Sequence, residues 1–263
     1  MMSTICEEEE EVDEENYKDT LNEVYSMFEK GLISQTGFRS MTFQNKVAWG
    51  KVVQTVQSFR SLRDSQFGLL NKENFETTYD FGEIKPVLVN NVFKPEAQTL
   101  LAKFYKTAIA EKCFTLGDPQ TAARFKANDE TLSRILHYET LPLIEHIVGR
   151  KLRPTYTYLS CYIADADLPP HTDRPACEYT VSFIISKKPR NFHWPIYIHK
   201  TKQLIEGKYG YGESCPTPPK EECISLDCNG GGLMVFQGED HIHYRKRFWG
   251  DQYNILLLHY CSL

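Results

Sequence analysis

From Pro154 onward the chain is broken into short runs that suit only one kind of backbone. "TYTYLSCYIA", "CEYTVSFIIS", "FHWPIYIH", "GLMVFQG" and "QYNILLLHYC" are rich in β-branched and aromatic residues and bounded by Pro, Gly, Asp or Asn. That is the pattern of antiparallel strands. Helical patterns come before them. Pro95 sits at a plausible first helical position, with a helix expected to about Lys112. A second, from near Asn128, carries Leu132, Ile135, Leu136, Leu141, Ile144 and Ile147, bends at Pro142 and stops at Gly149. Helices followed by strands predict an α+β fold in which helices pack on a β-sandwich or barrel.

The 263 residues suffice for one large domain or two small ones. The net charge of -5 is a property of one end, because residues 1–15 hold eight of the 35 acids and no Lys or Arg. The remaining 27 acids face 30 Lys and Arg, so no broad basic face for nucleic acid is expected. Residues 1–15 read as a disordered acidic tail. Residues 16–83 read as a helical extension: Tyr17, Leu21, Val24, Tyr25 and Phe28 share one helix face ending near Gly31, and Val47, Val52, Val56, Phe59 and Leu62 suggest a second helix. The extension docks on the main domain, 84–263, or serves a partner.

No secretory signal and no apolar run of membrane-spanning length is visible. The eight scattered cysteines include no CxxC pair and read as free thiols of a cytoplasmic or nuclear protein. Cys215, Cys223 and Cys228 lack the short chelating spacing of a zinc site.

Two motifs carry chemistry. "PPHTDRPACEYTV" ends a turn in His171 and Asp173, and about seventy residues later "GGGLMVFQGEDHIHYRKRFWG" delivers His241, His243 and Arg245 at alternate positions. In an extended strand these three face the same way. One His and Asp from a turn plus one distant strand His form a 2-His-1-carboxylate facial triad, the ligand set of non-haem Fe(II) oxygenases. Such a triad leaves one face of the metal open to a chelating keto acid and to O2. The far carboxylate of that acid calls for a fixed Arg fork.

"PTYTYLSCYIADADLPPHTDRPACEYTVSFII" followed by "HYRKRFWGDQYNILLLHY" resembles the 2-oxoglutarate and Fe(II)-dependent dioxygenase superfamily, in its prolyl 4-hydroxylase-like branch. The resemblance covers roughly residues 84–263, including "PVLVNNVFKPEAQTLLAKFY". It implies a double-stranded β-helix (jelly-roll) core with the N-terminal helices packed on it. It also implies Fe(II), 2-oxoglutarate as co-substrate and ascorbate as an optional accessory, with succinate as a product. Carried over residue by residue, the iron ligands fall on His171, Asp173 and His243, the last because "HYR" matches the family's H-x-R; His241 remains a rival. Prolyl hydroxylases place the basic residue for 2-oxoglutarate about ten positions after the distal histidine, around Tyr253 here, where there is none.

Arg245 is the replacement candidate, Lys246 and Arg247 weaker ones, and Tyr158 and Tyr162 candidate hydroxyl donors to the co-substrate. Arg174 and Glu178 are candidates to pair across the ligand turn. His137, His146, His193, His199 and His259 read as structural. The substrate, a protein side chain or a small molecule, is not identified by these residues. Two other readings stand beside the oxygenase: a cupin-type metal barrel without 2-oxoglutarate, and an inactive barrel serving as an interaction module.

Overall fold

The computed structural model describes residues 75–77, 86–90, 92, 95–110, 112–202 and 215–263. The acidic tail and both N-terminal helices read from the sequence lie outside them. The elements, in chain order, are β1 (Phe75–Thr77), β2 (Val87–Val89), α1 (Pro95–Ala110), β3 (Thr115–Leu116), β4 (Arg124–Asn128), α2 (Thr131–Val148) and β5 (Leu152–Ile163). There follow β6 (Leu168–His171), β7 (Tyr179–Lys188), β8 (Ile196–His199), β9 (Cys223–Leu226), β10 (Leu233–Phe236), β11 (His243–Arg245) and β12 (Gln252–Ser262).

Helix α1 starts at Pro95 as the sequence predicts. Helix α2 begins slightly later than expected, since Asn128 still belongs to β4. Asp129 takes a positive φ of 46°, and the side chain of Glu130 then caps the helix by accepting from the Leu132 and Ser133 N–H groups, both at 3.0 Å. The helix continues through Pro142 to Val148, and Gly149 at φ 73° closes it, its N–H donating to Glu145 O at 2.8 Å.

The strands form two sheets. One runs β1-β2-β10-β7-β12-β5-β4-β3 and the other β6-β11-β8-β9, with every pairing antiparallel. The four strands β10-β7-β12-β5 and the four-stranded sheet make the two walls of a double-stranded β-helix. The period of two along each strand then separates two cores. Val181, Phe183 and Ile185 of β7, Leu256, Leu258 and Tyr260 of β12, and Leu159 and Cys161 of β5 face outward, where they bury Leu101 and Tyr105 of α1 and Leu132, Ile135, Leu136 and Ile144 of α2. The alternate residues face the barrel interior. There Tyr162, Ile184, Tyr253 and Ile255 meet Trp194, Ile196 and Phe236.

The helices are also tied to each other and to the sheet by polar bonds. Tyr105 Oη lies 3.1 Å from Ser133 Oγ, and Gln98 Nε2 donates to Ile185 O at 3.1 Å. Both orientations of the strands are thus fixed by burial, which determines which side chains of β5, β7 and β12 point into the barrel.

Candidate functional site

Strands β6 and β11 pair at one edge of the smaller sheet. "LPPH" is an edge strand, β6, rather than a plain turn: its two prolines lack N–H donors, which an edge position tolerates. Its last residue, His171, is the direct cross-strand partner of His243, the first residue of β11. The two imidazole centroids are 4.3 Å apart. Asp173 follows two residues after His171, and its Oδ1 lies 3.6 Å from both His171 Nε2 and His243 Nε2. Such gaps are too long for good hydrogen bonds and suit a cation shared by the three donors.

Each ligand candidate is oriented from behind. The Nδ1–H of His171 donates to Pro169 O at 2.8 Å, and that of His243 to His241 O at 2.9 Å. Both rings therefore turn Nε2, with its lone pair, toward Asp173. Burial lowers the His243 pKa to about 4, with His171 adding to the effect, so the ring is neutral at pH 7 as a metal ligand requires. Burial alone would push the Asp173 carboxyl up. The facing His243 and His171 nevertheless hold it well below the usual carboxylate range. Its other oxygen, Oδ2, accepts from Thr180 Oγ1 at 2.7 Å, and its N–H donates to Gly238 O at 2.8 Å. Gly238 has to be glycine, because a Cβ there would collide with Asp173 Oδ2 and Thr180 Oγ1.

His241 lies outside this group. It precedes β11, so the alternation that would put it on the face of His243 does not extend to it, and its Nδ1–H donates to His199 O at 2.9 Å. Among the described residues the donor atoms of His171, Asp173 and His243 converge to within 4.8 Å; a second such group is Asp173, Cys177 and His259. Cys215, Cys223 and Cys228 do not form one.

A cavity runs from the triad into the barrel, walled by Ser160, Tyr162, Ile196, Phe236, Arg245 and Ile255. Arg245 is 3% exposed. Its Nη1 donates to Trp194 O, and its guanidinium lies 4.9 Å from the Trp194 ring centroid and 5.3 Å from that of Tyr253. Its Nη2 has no hydrogen-bond partner, and neither does the buried Ser160 Oγ. Unsatisfied groups of this kind are costly in a dry interior and mark where a ligand's acceptors belong. Lys246 and Arg247 point elsewhere: both are exposed, with Lys246 5.3 Å over the Tyr197 ring and Arg247 paired to Asp165 at 2.6 Å.

The two tyrosines differ. The Tyr158 hydroxyl donates to Asp118 Oδ2 at 2.7 Å, whereas that of Tyr162 accepts from Arg124 Nη1 at 2.8 Å. Arg124, paired with Asp118 and 2% exposed, is thus the hub of a buried cluster beside the cavity. Tyr253, at the position where the family resemblance implies a basic residue, is fully buried and donates to Asp227 Oδ1 at 3.2 Å. Glu178 takes the Ser262 N–H and Oγ–H, both at 2.7 Å, while the Arg174 guanidinium lies 4.8 Å over the Tyr156 ring. His259, expected in the core, lines the cavity, with Nδ1 3.2 Å from Thr180 Oγ1.

Sequence reasoning passed over Thr180, Ser160 and Ser182. Their signal was present: each is a small polar residue at an inward position of an otherwise apolar strand.

No family model matches the chain and no curated protein matches it. Solved structures do. The non-heme alpha-ketoglutarate-dependent carbocyclase SnoK of nogalamycin biosynthesis is 12% identical, with 73% of this chain and 84% of that one covered at a TM-score of 0.55. The alpha-ketoglutarate-dependent epimerase SnoN of the same biosynthesis is 13% identical over 67% and 77%, TM-score 0.52. AviO1 from Streptomyces viridochromogenes Tue57 is 14% identical over 67% and 89%, TM-score 0.50. At such identities the likeness is one of fold, the double-stranded β-helix described above.

Proposed function

We propose that the chain is an Fe(II)- and 2-oxoglutarate-dependent oxygenase that oxidises an unidentified protein side chain or small molecule. The observation that carries this reading is a single cavity lined both by three convergent metal donors and by Arg245, whose Nη2 has no hydrogen-bond partner. A metal barrel without the keto acid has no use for a buried guanidinium with a spare donor, and an inactive module has no use for either. The residues fit both groups. His171, Asp173 and His243 would hold the iron, which supplies the oxidising power by coupling O2 to the decarboxylation of 2-oxoglutarate.

The chain's own residues do the rest. The backbone carbonyls of Pro169 and His241 keep both imidazoles in the tautomer whose Nε2 can bind a metal. Thr180 occupies one carboxylate oxygen of Asp173 and leaves Oδ1 for the site. Arg245 Nη2 and Ser160 Oγ supply donors for the far carboxylate of the co-substrate. Tyr162 joins them, because Arg124 donates to its oxygen and its own proton is left to give. Tyr158, whose proton goes to Asp118, holds the Arg124 cluster in place rather than the co-substrate. Phe236, Ile196 and Ile255 wall the cavity with apolar surface, which strengthens the charge-assisted contact by excluding water.

The test is anaerobic titration of the Fe(II) protein with 2-oxoglutarate. A visible charge-transfer band that saturates with the keto acid is expected, followed on admission of O2, with ascorbate present, by succinate. Absence of both band and succinate would refute the assignment. Succinate yield against peptide and metabolite pools then identifies the substrate class.

A further inference from the structure

The cavity wall behind Asp173 carries a pair of oxidisable side chains that the proposed reaction does not use. Tyr156, on β5, lines the cavity, and its hydroxyl oxygen lies 2.8 Å from Cys177 Sγ. Cys177 ends the single turn of 3-10 helix, Pro175–Cys177, that follows the ligand turn, and its N–H donates to Arg174 O at 2.8 Å. The Tyr156 ring meets the His259 ring at a centroid distance of 4.5 Å and the Arg174 guanidinium at 4.8 Å, so its position is set by several contacts. Cys177 is 1% exposed. Its sulfur, a carboxylate oxygen of Asp173 and a ring nitrogen of His259 all lie within 4.8 Å of one another, and Asp173 is also a member of the triad. The tyrosine and the thiol therefore touch each other beside the place where the oxidising metal would sit.

We propose that Tyr156 and Cys177 are a self-modification site, at which turnover in the absence of substrate joins Cys177 Sγ to the ring carbon ortho to the Tyr156 hydroxyl. This rests on the oxygenase reading above. The ortho carbons of a phenol are electron-rich, and a sulfur already at the hydroxyl oxygen reaches one of them by a small rotation. In the step a ring C–H and the S–H bond break and a C–S bond forms, a two-electron oxidation. O2 and 2-oxoglutarate are the co-reactants: one oxygen atom leaves as water with the two hydrogens, and the other enters succinate as carbon dioxide is lost. The thioether ties the turn that carries Asp173 to β5, and so to the larger sheet.

The molecule contains its own control. Tyr244 also hydrogen-bonds a cysteine, Cys223. It follows His243 in β11 and therefore faces the other side of the sheet, where it packs with Tyr197 and Cys223 away from the triad. The same pair chemistry is present there without a metal position next to it.

The full chain is incubated with Fe(II), 2-oxoglutarate and O2 without substrate, then reduced, denatured and examined by intact mass, thiol titration and peptide mapping. A loss of two hydrogen atoms, the loss of one titratable thiol and a joined peptide holding Tyr156 and Cys177 are expected. Tyr156→Phe and Cys177→Ser abolish all three changes, and Cys223→Ser retains them. If 2-oxoglutarate is consumed but no hydrogen is lost, or Cys177 instead gains oxygen, the cross-link is overturned and the oxygenase reading stands. If 2-oxoglutarate is not consumed at all without substrate, the cross-link is overturned, and the oxygenase reading falls with it only when the anaerobic charge-transfer band is absent as well.

Discussion

Arg245 shows how a single buried side chain separates two kinds of barrel. Its guanidinium is packed on Trp194 and Tyr253, makes one backbone bond and keeps one donor spare. A charge-assisted hydrogen bond in such a place contributes about 1.5–3 kcal/mol. Arg245→Gln is therefore expected to weaken 2-oxoglutarate binding by roughly one to two orders of magnitude. Fe(II) affinity should stay near that of the unaltered protein, because no ligand is touched. Titration of the anaerobic Fe(II) protein with the keto acid reads the first quantity and metal analysis the second; equal co-substrate affinities would place the anchor elsewhere. The histidines give a parallel contrast. His171→Ala and His243→Ala should lose metal at sub-stoichiometric loading. His241→Ala should retain it, since its ring is turned to His199.

Among the elements, the long strands and both helices were legible in the sequence, while β4 and β6 were not. β5, β7 and β12 announce themselves because they are long and most of their positions on both faces are buried, which fills them largely with apolar and aromatic residues. β4 reads "RFKAN", without one β-branched residue; it is a strand because β3 and β5 pair with it on either side. Arg124, the hub beside the cavity, was invisible for the same reason. β6 was hidden by prolines that only an edge can tolerate. The position of the candidate site was legible from H-x-D and "HYR", but that His243 rather than His241 converges with His171 and Asp173 depends on the point where β11 begins, which no alternation rule supplies.

The junction of α2 with β12 has a measurable pH signature. His137 is buried in α2 with Nε2 2.8 Å from His259 O, and burial lowers its pKa from 6.5 to about 3. The unfolded chain takes up a proton near pH 6.5 that the folded chain refuses until about pH 3. Stability is thus complete above pH 6.5 and falls as the pH drops through this window, by about 1.4 kcal/mol per pH unit for one proton. Urea unfolding at pH 7 and pH 5 should show a smaller acid loss in His137→Gln than in the unaltered chain. The residual slope comes from the other buried histidines, His243 and His259, both lowered to about 4, and His241, which burial also lowers. Identical slopes would mean that His137 does not titrate this way.

For the molecule as a whole, metal and co-substrate would bind in a cavity whose lining comes from both sheets, brought together by folding. Ligands that bind the native state alone stabilise it by mass action, about 2.7 kcal/mol at a hundredfold excess over Kd. Mn(II) followed by 2-oxoglutarate should therefore raise the melting temperature in two increments. His243→Ala should lose both and Arg245→Gln mainly the second. A co-substrate increment of full size without metal would show that 2-oxoglutarate does not chelate the metal. No helix among the described residues is long and apolar enough to cross a membrane.

Strand β12 lies between β5 and β7, so the last of the described strands occupies the middle of the larger sheet. Its partners in β5 are about a hundred residues back, Gln252 opposite Ile163 and Ser262 opposite Leu152. During synthesis β5 and β7 emerge first, each with an open edge and an apolar face, and neither is sealed until the ribosome has passed residue 262. At roughly 5–20 residues per second, the nascent chain carries unpaired edges of the kind that recruit other chains for several seconds, an interval that chaperone capture of stalled chains ending before and after β12 would measure.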